Sequence, residues 1–428
     1  MRFRRHLPPV LHRRDYALLF VALLAMGLGG QMVVVAVGWQ VYAIHHSAFD
    51  LGLIGLFEFL PLPILALPAG HLADRFSRRT VFAASMALAV AITVGLLVVS
   101  LTASDLLWPY LLLAAATGIA TAVGTPAARA LPPTLVPPDL LENAMALRSI
   151  AFQIGFTVGP AIGGLLFAVR AELAYGIAAG LLACGLVCVA AIREPPAAEA
   201  VEAPGLGLDD LLAGFRFMRR TPVVLGAITL DLFAVLFGGT VALLPLFAQS
   251  ILHTGPFGLG VLRTAPAIGA LLAGVMLARR PLGGRVGRKL LLVVAAFGAS
   301  MIVFGLSSSF ALSFAALAVS GFVDMISMNI RSTTVALATP DELRGRALAI
   351  EMVFISASNE LGAFESGIAA ALFGAVTAVV AGGVITIGLA ASWAFLFPSL
   401  AAIDRFEDVY AGKVEPGADR PYPPGSPA

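Results

Sequence analysis

The chain is 428 residues long, 59% hydrophobic and only 12% charged, with a mean hydropathy of +0.94, whereas an average soluble domain carries about 25% charged residues. This excludes an ordinary soluble protein, and the net charge of +2, left by 27 basic and 25 acidic residues, gives no support for nucleic-acid binding. A membrane-spanning helix takes about 20 apolar residues, so the chain accommodates many spans and little else.

The opening Met1-Arg2-Phe3-Arg4-Arg5 carries the charge of a secretory leader, but the apolar run from Ala17 to Ile44 is far longer than a cleavable segment and reads as the first permanent span. Twelve apolar segments can be marked, near 17–43, 51–73, 80–101, 108–130, 144–169, 172–192, 222–250, 257–278, 290–309, 311–335, 346–373 and 376–400. Lys and Arg sort by side. The connections at 44–50, 102–107, 251–256 and 374–375 hold none, and 25 of the 27 fall at the two ends or in the regions in and beside the alternate connections, leaving only Arg170 and Arg263. The positive-inside rule then puts both termini in the cytoplasm, which requires an even number of spans. Cys184 and Cys188, four apart in an apolar run, read as packing residues; neither a disulfide, a metal site nor a cofactor is implied.

Glu194-Pro195-Pro196-Ala197-Ala198-Glu199 has the composition of an unstructured linker. It divides the chain into an N-terminal six-helix bundle (1–193), a cytoplasmic linker (194–221) and a C-terminal six-helix bundle (222–403), followed by a Pro- and Gly-rich tail (404–428) expected to be disordered. The linker closes with Leu208, Leu211, Leu212, Phe215 and Met218 at helical spacing among charged residues, as in a helix lying on the membrane surface. The halves repeat in the same orientation: an offset of 202 matches Arg129, Leu135, Pro138, Asp139 and Leu141 with Arg331, Leu337, Pro340, Asp341 and Leu343. Parallel repeats imply a pseudo-two-fold axis along the membrane normal, with a site between the halves.

The loop Gly70-His71-Leu72-Ala73-Asp74-Arg75-Phe76-Ser77-Arg78-Arg79 resembles the signature loop of the major facilitator superfamily, with Ser77 where that family usually has Gly. The resemblance implies a cytoplasmic latch built from Gly70, Asp74, Arg75, Arg78 and Arg79; the equivalent loop of the second half aligns Gly284 with Asp74 and so lacks the acid. In span 5, Gly155, Gly159, Pro160, Gly163 and Gly164 are similar to the antiporter motif of the superfamily's exporters; small residues at this spacing make a smooth face for close helix contact. Leu230-Asp231-Leu232, Asp324, Arg331, the run from Thr339 to Arg346 and Ser358-Asn359-Glu360-Leu361-Gly362 extend the likeness to the enterobactin-exporter-like branch over nearly all of 10–404. The resemblance implies an all-α polytopic fold of twelve transmembrane helices in two six-helix bundles. It also implies export of a siderophore-like or drug-like small molecule by alternating access, energised by proton exchange, in the bacterial cytoplasmic membrane. One departure bears on coupling: span 4 has Ala114 and Thr117 where many proton-coupled members place an arginine and a glutamine.

Ionisable groups inside a bilayer are costly and therefore functional candidates. Glu58, Asp231, Asp324, Glu351, Glu360 and Glu365 qualify. Asp231 and Asp324 lie near mid-membrane and are open to two readings, a proton or substrate site and a buried structural pair; a carboxylate removed from water binds its proton more tightly, as an exchanging site needs. Thr339 and Glu342 form a capping-box pattern at the start of span 11. Near the cytoplasmic end Glu351 is expected to pair structurally with Arg331, Arg344 or Arg346, while Glu360 with Asn359 is the better pathway candidate. Gln31, Trp39, Gln40 and Gln249 could touch substrate, though interhelical hydrogen bonds explain each Gln equally well. Partners are thus a small molecule, protons and membrane lipids. An importer or lipid flippase of the same fold stays open. A pump driven by ATP has no phosphate loop here, since the only lysines are Lys289 and Lys413; a membrane enzyme lacks both Gly-x-Ser-x-Gly and His-x-x-x-His. A non-transporting scaffold differs from a transporter in showing no substrate-dependent proton flux.

Overall fold

The computed structural model describes residues 8–65, 76–193, 215–280 and 282–410, with side chains in the helix at 341–373 described at 343, 350, 351 and from 354 onward. Among the described residues every regular element is helical and none is a strand. Twelve long helices follow one another: α1 (Arg14–His45), α2 (Ala48–Phe59), α3 (Arg78–Leu101), α4 (Trp108–Ala130), α5 (Leu141–Val169) and α6 (Ala171–Ala190) in the first half. The second half holds α7 (Pro222–Gly238), α8 (Gly255–Arg279), α9 (Val286–Leu306), α10 (Phe310–Ala338), α11 (Asp341–Phe373) and α12 (Ala375–Leu396). Among the described residues 11 helices are long and apolar enough to cross a membrane, α2 with its extension to Leu65 and α7 with its extension to Ile251 included. The more polar α11 has 33 residues, about 50 Å at 1.5 Å per residue, and its length suffices as well. An even number of crossings leaves both ends of the chain on one face, the terminal face.

Span 7 is not one helix. After Gly238 and Gly239, poor helix formers, the chain passes through a 3-10 turn at Val241–Leu243 and a short helical piece at Leu244–Leu246, then ends in a π-helical turn at Phe247–Ile251. Pro245 has no N–H to carry a helix across this break. The Gly239 carbonyl freed by the break accepts a 2.8 Å hydrogen bond from Ser366 Oγ on α11. At the start of α11 Thr339 Oγ1 donates back to the Val335 carbonyl (2.6 Å) and the helix begins after Pro340; the Glu342 side chain of the expected capping box lies outside the described residues. Residues 215–220 are helical, with Met218 buried against Val224, Ile228 and Ile350; the rest of the linker's expected surface helix lies outside the described residues. The tail departs from disorder at its beginning. Asp404 accepts from Arg285 N (2.8 Å), the Ile403 carbonyl accepts from Gly287 N (3.0 Å), and a short helix spans Phe406–Tyr410.

Buried side chains group differently at the two faces. Toward the terminal face one cluster, including Tyr16, Phe82, Leu131 and Ile192, belongs wholly to the first half, and another, including Leu230, Leu290, Ile330 and Trp393, wholly to the second. Toward the far face one cluster joins Val35, Trp39 and Ala48 of the first half to Leu243, Phe247, Leu259 and Phe304 of the second. Among the described residues the halves therefore share a buried core toward the far face.

Within the first half α1 and α5 meet through glycine. A Cβ placed on Gly155 would lie 2.7 Å from the Gly27 Cα, one on Gly159 2.8 Å from the Gln31 Cβ, and one on Gly163 2.7 Å from the Met32 Cα. Each of these contacts leaves no room for a side chain, so Gly155→Ala must push two backbones apart. It should lower stability by about 1–3 kcal/mol, the usual cost of overpacking. Gly176→Ala, where a Cβ would meet nothing within 4 Å, should leave stability unchanged or slightly raised. Thermal unfolding of the two variants in detergent checks the contrast.

Candidate functional site

At the far face the described residues bring the halves together through α2 and α11, α5 and α8, and α1 and the extension of α7. Gly52 of α2 packs on Gly367 of α11, where a Cβ on Gly52 would lie 3.1 Å from the Gly367 Cα; one turn deeper, a Cβ on Gly55 would lie 2.7 Å from that of Ala363. Gly164 of α5 meets Gly260 of α8, with 3.0 Å between its added Cβ and the Gly260 Cα. Tyr42 of α1 hydrogen-bonds Ser250 in the extension of α7 (2.8 Å between oxygens). The glycine motif of α5 is thus two surfaces: Gly155, Gly159 and Gly163 serve α1, whereas Gly164 serves the other half. Nearer the membrane centre Gln153 Nε2 donates to the Ala267 carbonyl of α8 (3.1 Å).

Thr125 and Arg129 of α4, Asn143 and Ser149 of α5, Asp324 and Ser332 of α10 and Asn359 of α11 are all exposed. Polar side chains on the inner helices of a membrane bundle are exposed to water rather than lipid when they line a cleft. Among the described residues the halves meet at the far face, and these polar side chains are exposed toward the terminal face.

Two groups of charges lie within the membrane-spanning part. The first belongs to the second half alone. Asp231 of α7 and Arg331 of α10 form a buried ion pair, 8% and 5% exposed as residues, while Arg331 Nε has no hydrogen-bond partner. The charges of Asp324 and of buried Glu351 act on the same pair. Asp231 and Asp324 border a small cavity with Ala234, Val235, Phe297 and Ser327, between α7, α9 and α10. The ion pair expected between Arg331 and Glu351 runs instead to Asp231: Arg331 lies two turns beyond Asp324 on nearly the same helix face, and that face is packed against α7. Arg344 and Arg346 side chains lie outside the described residues.

The second group spans both halves. Glu58 of α2, Arg263 of α8 and Glu360 of α11 interact electrostatically with one another. All three are half-buried, and Arg263 Nε is buried without a hydrogen-bond partner. Sequence reasoning passed over Arg263; the available signal was its place among the few basic residues off the positive side.

The remaining candidates separate. Gln40 accepts a 2.8 Å hydrogen bond from Tyr175 of α6, an interhelical tie inside the first half. Trp39 packs on the shared far-face core, Gln31 lies against Gly159, and the buried Gln249 Oε1 has no partner. Arg78 and Arg79 donate to the carbonyls of Ala130 (3.1 Å) and Ile192 (2.6 Å), where α4 and α6 end. Gly70, Asp74 and Arg75 lie outside the described residues.

Comparison with known proteins agrees with this architecture. Residues 7–412 match the family described as transmembrane secretion effectors. The chain is 28% identical over 331 residues, 76% of its length and 77% of theirs, to the enterobactin exporters EntS of Shigella boydii serotype 18 and of Escherichia coli O157:H7. Its fold is similar to that of a bacterial homolog of the human lysosomal transporter Spinster in an inward-facing, occupied conformation (TM-score 0.70, 16% identity, 90% of this chain and 97% of that one). It is also similar to a D-xylose–proton symporter (TM-score 0.67, 15% identity, 88% and 96%).

The Asp231–Arg331 pair makes a prediction of its own. Removing one member of a buried pair strands the other charge and costs about 3–5 kcal/mol, whereas replacing both by apolar residues of similar volume is often neutral. Asp231→Leu should therefore unfold at markedly lower temperature, and Asp231→Leu with Arg331→Met should recover most of the loss. Equal stability of wild type and the single variant would contradict a structural pair.

Proposed function

We propose that this chain, which belongs to the transmembrane secretion effector family of the major facilitator superfamily and is a secondary transporter that exports a small molecule, carries a siderophore-like or drug-like cargo in exchange for protons. The supporting observation is a buried core shared by the halves at the far face, while toward the terminal face each half keeps a core of its own. Tilting one bundle against the other would exchange the sealed and open faces without unfolding either.

In this reading the terminal face is cytoplasmic, in keeping with its Lys and Arg, and the membrane is the bacterial cytoplasmic membrane. Cargo enters the cleft past Asn143, Ser149 and Asn359 and reaches the middle, where Gln31, Trp39 and Gln249 offer contacts. The acids available to exchange a proton are Glu58, Asp231, Asp324 and Glu360. Gly70, Asp74 and Arg75, with Arg78 and Arg79, form the loop that would close the cytoplasmic side in the opposite state. Lipid phosphates are partners for the arginines at that surface. The enterobactin exporters among the relatives make a catecholate siderophore the first cargo to try.

Inverted membrane vesicles supply the test. With the lumen acidified, vesicles holding the protein should accumulate enterobactin or another siderophore of its class, and a protonophore should abolish the accumulation. Accumulation indifferent to the protonophore would contradict proton exchange. Uptake confined to right-side-out vesicles would make the protein an importer.

A further inference from the structure

The cluster that joins the halves has a definite position. Glu58 lies ten residues into α2, Arg263 eight into α8, and Glu360 thirteen before the end of α11. At 1.5 Å per residue these are about 15, 12 and 20 Å below the far face. The glycine contacts at Gly52, Gly164, Gly260 and Gly367 lie nearer that face, at about 6 to 9 Å. The three charges therefore sit directly beneath the seal, and Glu360 reaches toward it, its Oε2 being 3.8 Å from a Cβ placed on Gly55.

The charge balance is uneven. Two carboxylates, one on each half, share a single guanidinium. None of the three makes an ion pair within 4.0 Å or a side-chain hydrogen bond among the described residues, and Arg263 Nε is buried and unpartnered. The charge of Arg263 acts on both acids, those of both acids act on Arg263, and that of Glu58 acts on Glu360. Glu365, five residues along α11 from Glu360, interacts with Ser366 instead, and Asp50 at the start of α2 pairs with His45, 2.7 Å away at the far face. With both acids ionised the cluster carries a net charge of −1 in a region that solvates charge poorly; one proton brings it to zero.

Resting on the proton-exchange reading, we propose that Glu58, Arg263 and Glu360 are the coupling site: one proton shared by the two acids permits the far face to seal, and its loss favours opening there. The ionised cluster is stabilised by water, which reaches it from outside only when α2 separates from α11 and α5 from α8. The neutral cluster tolerates the dry, closed arrangement. The Asp231 group is a poorer coupler, because α7, α10 and α11 all belong to one half and travel together as the halves rock. Only the Glu58 group has an acid on each side of the moving boundary. A proton bound from outside would thus close the outer side, and its release to the cytoplasm would permit the return.

Spin labels at Leu106 and Leu372, exposed positions of opposite halves at the far face, read the seal directly. The full chain, with Cys184 and Cys188 replaced, is placed in lipid nanodiscs and the label-to-label distance is followed with pH. Wild type should shift from long toward short distances on acidification. Glu58→Gln and Glu360→Gln, each leaving one acid with one guanidinium, should stay short and lose the pH response. Glu360→Asp, which keeps the acid, and Glu365→Gln, outside the cluster, should both retain it. All variants are compared as monodisperse protein, so that misfolding is not read as loss of response. A wild-type distance indifferent to pH would overturn the proton-exchange reading together with the cluster. A wild-type response that persists in both Glu58→Gln and Glu360→Gln, or vanishes in Asp324→Asn alone, would overturn the cluster and leave proton exchange standing.

Discussion

Backbone-to-backbone approach at glycine is the constraint on which the arrangement of the two halves depends. Gly52 against Gly367 and Gly164 against Gly260 bring α2 to α11 and α5 to α8 closer than any side chain allows. In a bilayer there is no hydrophobic gain from joining two helices, since lipid is as apolar as leucine; close van der Waals packing and interhelical hydrogen bonds must do the joining. Such contacts are numerous, individually weak and free of trapped side chains, so they can be made and unmade repeatedly. The same device holds α1 to α5 inside one half, where it runs through Gly155, Gly159 and Gly163 over about two turns of helix. That seam lies inside one bundle, so rocking of the halves as rigid bodies leaves it intact.

The second constraint is the cost of charge in the interior. The molecule meets it in two ways. Asp231 and Arg331 are buried as a direct pair within one bundle, so their mutual attraction is kept through any rigid motion of that bundle. Glu58, Arg263 and Glu360 are divided across the boundary and not directly paired, so their energy changes with the separation of the halves and with the water admitted between them. A group whose solvation differs between two conformations biases the equilibrium between them, and a ligand as small as a proton can then shift it.

Much of this was legible in the residues. The twelve apolar runs, the one-sided Lys and Arg and the repeat at an offset of 202 were sufficient for the helices and their order. Gly155, Gly159 and Gly163 were readable as a packing face because their spacing is helical. That Gly164 serves a different neighbour could not be read, because adjacent residues on a helix face different ways and the partner lies nearly a hundred residues on. The break after Gly238 was written in two glycines and a proline, yet mean hydropathy runs straight through it. Asp231 was singled out by depth, but depth does not reveal a partner: Arg331 is a hundred residues away, and only the packing of α7 on α10 brings it within reach. Arg263 stood out in the charge count as an exception without an explanation. Its acids lie on α2 and α11, helices that neither precede nor follow it.

In alternating access the far-face seal must open once in every cycle. Phe49 of α2 and Phe364 of α11 face each other across it, ring centroids 6.4 Å apart. In a chain without Cys184 and Cys188, Phe49→Cys and Phe364→Cys can be joined by a short, reducible thiol cross-linker, and pH-gradient-driven efflux measured before linking, after linking and after reduction. The account predicts that linking arrests efflux and that reduction restores it, while linker applied to either single-cysteine chain has no effect. Undiminished efflux by the fully cross-linked protein would contradict it.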